Sequence, residues 1–126
     1  MLVSIIITAY NYEKYIEECL QSCIEQKDFE DYEIILVDDG STDATSAIAS
    51  KYKDKVQIFR TENVGIERAS NYGIAKTLGD FILRVDADDK LASNCLRQMS
   101  EYLSKDSVSF FYSDYWVINS DGKTTG

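Results

Sequence analysis

The 126-residue chain contains no histidine. The commonest general base and zinc ligand is therefore missing, and a Ser–His–Asp triad is excluded. Positive charge is also scarce: 13 Lys and Arg stand against 22 Asp and Glu, for a net charge of −9. No uniform basic footprint exists for nucleic acid, whose phosphates such a chain repels overall. A phosphorylated small molecule remains admissible where a metal or a local cation offsets the charge. Cysteine is sparse, with three residues and no Cys-x-x-Cys pair. An odd count does not suit a disulfide framework, so Cys19, Cys23 and Cys95 read as reduced core thiols in a reducing compartment. No apolar run approaches the ~20 residues of a membrane span. "MLVSIIITAYNY" lacks the basic start and small-residue cleavage pattern of a signal peptide. The expectation is a cytoplasmic protein, with membrane association through segments beyond these residues left open. Gly-x-Gly-x-x-Gly, Gly-Lys-Ser/Thr and Gly-x-Ser-x-Gly are all absent, which removes the dinucleotide, P-loop and nucleophile-elbow fingerprints.

What is present suits one folded domain over 1–126, because 44% hydrophobic residues are enough to build a core. Short apolar runs alternate with segments of helical period. "LVSIIIT", "EIILV", "KVQIFR", "DFILRVD" and "SVSFFYSDYWVI" read as strands. "YIEECLQSCIEQ", "ATSAIASKY", "GIERASNYGIAKT" and "LASNCLRQMSEYLSK" read as helices. "EIILV" is apolar throughout, as a parallel strand covered on both faces must be. Ser41 or Asp43 is the expected N-cap of the second helix, and Gly79 the expected end of the third. "NSDGK" reads as a hairpin turn with no return strand after it. The order βαβαβαβαβ predicts an α/β fold with a doubly wound, mostly parallel sheet and helices on both faces. Ligands of such sheets bind beyond the carboxyl ends of the strands, at a topological switch point. Three polar clusters fall there: "TAYN", "DDGSTD" and "DADD".

The acidic knot Asp86, Asp88 and Asp89 is costly for a simple turn. Like charges ~4 Å apart repel by about 1 kcal/mol in water and about 4 at an effective dielectric near 20. Carboxylates in this density suit a hard divalent cation such as Mg²⁺ or Mn²⁺. The plain alternative is a solvated turn whose charge favours the following helix N-terminus. Asp38 and Asp39 end the second strand; capping accounts for Ser41 to Asp43 but does not need Asp39, which is free to accept a ligand's N–H or hydroxyl. Tyr10 offers a ring for a nucleobase, worth ~1–3 kcal/mol when stacked; it could equally be a rim tyrosine. Arg68, one turn into a helix, could neutralise a phosphate or be satisfied by Glu67, Asp80 or solvent.

Taken together, "VSIIITAYNYEKYIEECLQS", "EIILVDDGSTDAT" and "NVGIERASNYGIAKTLGDFILRVDADD" resemble the family 2 glycosyltransferases of GT-A fold. The resemblance implies sugar transfer from a nucleotide-sugar, most often a UDP-sugar, to an acceptor hydroxyl on a glycan or lipid-linked acceptor, with inversion and with Mn²⁺ or Mg²⁺. By position it implies a base pocket of Thr8, Ala9 and Tyr10, with Asp39 accepting the base N–H and Arg68 near the diphosphate or base. Asp86 would meet the ribose and Asp88 the metal, with Asp89 assisting behind it. The family's later segment, with its acceptor site and a Glu-Asp pair for the general base, has no counterpart here; Asp114 and Asp121 are the acids near the end. The expectation is a C-terminally truncated, donor-binding part, inactive alone, whose unpaired last strand invites self-association into a homo-oligomer. Competing readings are a non-catalytic nucleotide-binding or regulatory module and a receiver-like signalling domain. The latter is disfavoured because the acids are split between the second and fourth strands.

Overall fold

A computed structural model describes residues 2–103. The expected fifth strand, the hairpin turn, Asp114 and Asp121 lie outside the described residues. The elements are β1 (Val3–Ala9), α1 (Ile16–Ile24), β2 (Tyr32–Asp38), α2 (Thr45–Ser50), β3 (Gln57–Arg60), α3 (Ile66–Ile74), β4 (Phe81–Asp86) and α4 (Cys95–Leu103). The sheet order is β3-β2-β1-β4, and every pairing is parallel. The chain winds outward from β1 to β3, then returns to the other side of β1 as β4. That reversal makes the β1–β4 junction the switch point.

β1 is buried along its whole length because helices cover both of its faces. Val3, Ile5, Ile7 and Ala9 join Cys19, Leu20 and Cys23 of α1, Ala49 of α2, and Leu96 and Met99 of α4. Ile6 points the other way and packs with Ile35, Val37 and Ala69 of α3. The period-two alternation of a strand thus divides its isoleucines between two cores. Beyond them, Phe59 meets Tyr72 edge-on at 5.9 Å, and Lys76 Nζ lies 5.1 Å from the Tyr72 ring, closing α3 over β3. All three cysteines are free thiols. No helix among the described residues is long and apolar enough to cross a membrane.

Three local expectations are corrected. α3 stops at Ile74, and Gly79 is not its terminator. Gly79 instead lies against β1: its N–H donates to Ser4 Oγ at 2.9 Å, and a Cβ would stand 2.8 Å from the Ser4 backbone nitrogen. Glycine is required there for close approach. α4 begins at Cys95, not Leu91. Residues 91–94 are captured by α1 and the segment after it: Leu91 N–H donates to Ser22 Oγ at 3.0 Å, Gln26 Nε2 donates to the Ala92 carbonyl at 2.8 Å, and Lys27 N–H donates to the Ser93 carbonyl at 2.7 Å. At α2 the helix boundary is Ala44. Of the two cap candidates, Asp43 accepts the Thr45 N–H at 2.9 Å from one residue further out, while Ser41 Oγ accepts the Asn11 N–H.

Candidate functional site

Strand register brings the polar clusters to one end of the sheet. Thr8 pairs with Asp86 across the β1–β4 junction, and Ala9 pairs with Asp38 across β1–β2. Tyr10, Asp39 and Asp88 follow directly in the loops that leave those strands.

The acidic knot is a tight turn. The Asp89 N–H donates to the Asp86 carbonyl at 3.0 Å, and Ala87 between them is buried, pinning the turn to the core. Cys19 Sγ reaches the same Asp86 carbonyl from α1 at 3.5 Å. Its thiol is held far above the ordinary value by the Cys23 thiol beside it and by burial, so it stays protonated and can donate. Oxygens of Asp86, Asp88 and Asp89 all lie within 4.8 Å of one another, and all three residues are exposed. Partial burial, then the charges of Asp88 and Asp86, push the Asp89 carboxyl above its usual value. No ion pair among the described residues involves these three acids; Lys90, next in sequence, leans toward Glu18 of α1 at 4.0 Å. An uncompensated set of three carboxylates fits a hard, oxygen-seeking divalent cation and offers nothing to a soft one.

Asp39 is buried, and its carboxylate has a structural task that sequence reasoning did not find. Oδ1 accepts the Thr61 hydroxyl at 2.7 Å and the Val64 N–H at 2.8 Å; Oδ2 accepts the Gly65 N–H at 3.0 Å. Burial pushes its carboxyl upward, but these hydrogen bonds outweigh burial and hold it below the usual carboxylate value. The 61–65 loop that it grips contains two left-handed residues, Asn63 (φ 55°) and Gly65 (φ 99°), and leads into α3. The Asn63 backbone N–H also lowers the Asp39 carboxyl, so the loop draws on this carboxylate from four residues. Asp38, also buried, accepts the Ser41 N–H at 2.9 Å and pairs with Arg60 at 2.9 Å.

Thr8 and Ala9 are buried at the strand end, whereas Tyr10 is 41% exposed. Arg68 is exposed on the first turn of α3 and has no ion-pair partner among the described residues; Asp80, one partner expected for it, accepts the Leu2 N–H instead. The structure therefore brings Thr8, Ala9, Tyr10, Asp39, Asp86, Asp88 and Asp89 to the carboxyl end of the sheet, Asp39 on the β2 side of β1 and the acidic turn on the β4 side, with Arg68 on the helix that the Asp39-held loop begins. A cavity of about 320 Å³ between α1 and residues 90–93, lined by Glu18, Gln21, Glu25 and Lys90 among others, contains none of them.

The sequence profile of Glycosyl transferase family 2 matches residues 4–126. The chain belongs to glycosyl transferase family 2. Among its relatives, the uncharacterized glycosyltransferase EpsJ of Bacillus subtilis is 34% identical over 126 residues, covering 98% of this chain and 36% of EpsJ. The crystal structure of S. aureus TarS in complex with UDP superposes with a TM-score of 0.76 at 34% identity, covering 82% of this chain and 32% of that one. The mannosyltransferase PcManGT of Pyrobaculum calidifontis, in complex with GDP-Man and Mn²⁺, superposes with a TM-score of 0.78 at 25% identity, covering 84% of this chain and 33% of that one. This family 2 chain thus spans about a third of the length of these relatives. Its described sheet and helices are those of a GT-A glycosyltransferase, as the sequence resemblance implied.

Proposed function

We propose that this chain is the donor-binding part of a metal-dependent, inverting glycosyltransferase. Its donor is a UDP-sugar or a related nucleotide-sugar, and its acceptor is a hydroxyl on a growing glycan or lipid-linked acceptor. The single observation that carries the proposal is the cluster of Asp86, Asp88 and Asp89 at the switch point, where Asp86 pairs with Thr8. It is supported by the ligands of similar proteins: UDP and UDP-GlcNAc with TarS, GDP-Man and Mn²⁺ with PcManGT.

The roles are those that the sequence resemblance implies by position. Thr8 and Ala9 line the base pocket, and the exposed Tyr10 ring stacks on the base. Asp39 accepts a base N–H in this reading, beside its grip on the 61–65 loop. Asp86 meets the ribose hydroxyls, Asp88 holds Mn²⁺ or Mg²⁺, and Asp89 assists. Arg68 supplies a positive charge for the diphosphate that a chain of net charge −9 otherwise repels. A divalent cation, when bound, offsets the diphosphate charge and acts as a Lewis acid toward the leaving nucleotide. The free thiols support a reducing, cytoplasmic setting, where membrane contact would come from other segments.

Calorimetry of UDP binding in Mn²⁺, in Mg²⁺ and in EDTA tests the proposal. Metal-dependent binding of UDP is expected. Equal affinity in EDTA would refute the metal assignment, and equal competition by UDP, GDP and ADP would refute the uridine preference.

A further inference from the structure

The backbone of Asn11 lies in the left-handed region, with φ 58°. Asparagine is one of the few residues bearing a side chain that visit this region readily. Its side-chain oxygen accepts the Thr42 N–H at 2.8 Å and the Asp43 N–H at 3.3 Å. Its own N–H donates to Ser41 Oγ at 2.9 Å. The next residues continue the seam: the Tyr12 N–H donates to Thr45 Oγ1 at 2.9 Å, and the Glu13 N–H to the Asp43 carboxylate at 3.2 Å. The loop after β1 is thereby sewn to the loop after β2, with Asn11 at the centre.

Tyr10 stands between two anchors. Ala9 before it is held in β1, and Asn11 after it is held in the seam. The Tyr10 side chain makes no hydrogen bond among the described residues, and the residue is 41% exposed. Its direction is therefore set by the backbone on either side. A stacking ring that must first be ordered gives back part of its binding energy.

We infer that Asn11 is a positioning residue for base recognition: it fixes the backbone that aims the Tyr10 ring and need not touch the nucleotide. The inference rests on the nucleotide-sugar reading of this site. Left-handed φ and a side-chain acceptor are both needed, so Asn11→Ala removes both, Asn11→Gly keeps only the backbone freedom, and Asn11→Asp keeps the acceptor.

The test measures uridine and UDP binding by calorimetry and Mn²⁺ binding by electron paramagnetic resonance, on the full 126-residue chain. Asn11→Ala and Asn11→Gly should each weaken uridine and UDP by about tenfold, the scale of one lost ordering hydrogen bond, and leave Mn²⁺ affinity within about twofold. Asn11→Asp should restore uridine to within about threefold of wild type. In a Tyr10→Ala background the Asn11→Ala loss should shrink to about threefold or less, because the ring to be aimed is gone. Thermal melts verify folding, and Asn11→Gly serves where Asn11→Ala does not fold. The inference is overturned by undiminished uridine binding in both variants, by a parallel loss of Mn²⁺, by failure of Asn11→Asp to rescue, or by a full loss persisting without Tyr10. If wild type itself binds neither uridine nor UDP, the nucleotide reading falls and takes the inference with it. If wild type binds and the variants misbehave, only the inference falls.

Discussion

The carboxylate of Asp39 accepts the backbone N–H of Val64 at 2.8 Å, tying the end of β2 to the loop that opens α3. With the Thr61 hydroxyl and Gly65 N–H it forms a latch across the mouth of the site. Asp39→Ala should release that loop and lower stability by about 1–3 kcal/mol, the cost of leaving donors without their charged acceptor. Urea denaturation measures the loss. Hydrogen exchange should show the Val64 and Gly65 amides losing protection first, and unchanged protection of both would disprove the latch.

The acidic turn divides two roles. Asp88→Ala should abolish most metal-dependent UDP affinity, whereas Asp86→Ala should weaken nucleotide binding in EDTA as well. Each substitution should cost tenfold or more, about 1.4 kcal/mol. Calorimetry with and without Mn²⁺ separates them, and identical profiles would show that the two aspartates act as one unit.

Gly79→Ala should destabilise the fold by about 1–3 kcal/mol, because its Cβ meets β1 backbone that cannot yield cheaply. The midpoint of chemical denaturation reports this. A wild-type midpoint would mean that the connection into β4 shifts freely.

Glu33 governs an acid-side dependence of stability. Burial pushes its carboxyl up, but hydrogen bonds from Ser4 Oγ, the Leu78 N–H and Gln57 Nε2 prevail and hold it below the usual glutamate value. A depressed folded value adds stability that is present above the unfolded pKa and lost as pH falls through the folded one. Glu33→Gln should therefore flatten the decline in stability below about pH 4.3, the unperturbed glutamate value, and change the slope little at neutral pH. Melting temperatures of both proteins across that range decide it; parallel curves would exclude the assignment.

The isolated chain should bind UDP in Mn²⁺ yet transfer no sugar. Asp86 and Asp88 are committed to ribose and metal in the proposed site, and no histidine is available to take an acceptor proton. Radiolabelled UDP-sugars with a panel of acceptors provide the assay. Turnover at an ordinary enzyme rate would reveal a base among these 126 residues.

Much of this protein was legible before any tertiary contact was known. The strand runs and helical periods located all eight described elements, because burial on one face or two is written directly into residue spacing. The switch point was also legible, since parallel connections place the polar residues after each strand at the same end. Tyr10, Asp39 and the acidic knot could be named on that ground; Thr8 and Ala9 came from the family resemblance.

What spacing could not reveal was where individual polar groups spend their hydrogen bonds. Asp39 was free by the logic of capping, yet residues 22 to 26 positions further along occupy three of its acceptor positions. Asn11 lay inside a quoted motif, but its left-handed backbone and its grip on the loop after β2, some 30 residues on, exist only once β1 and β2 are paired. Gly79 read as a helix stop because glycine commonly is one; only the approach of Ser4 from the other end of the chain demands it. Local pattern determined the elements and the end of the sheet where the chemistry gathers. Tertiary structure decided which polar residues are available there, because hydrogen bonds between segments distant in sequence leave no periodic trace in it.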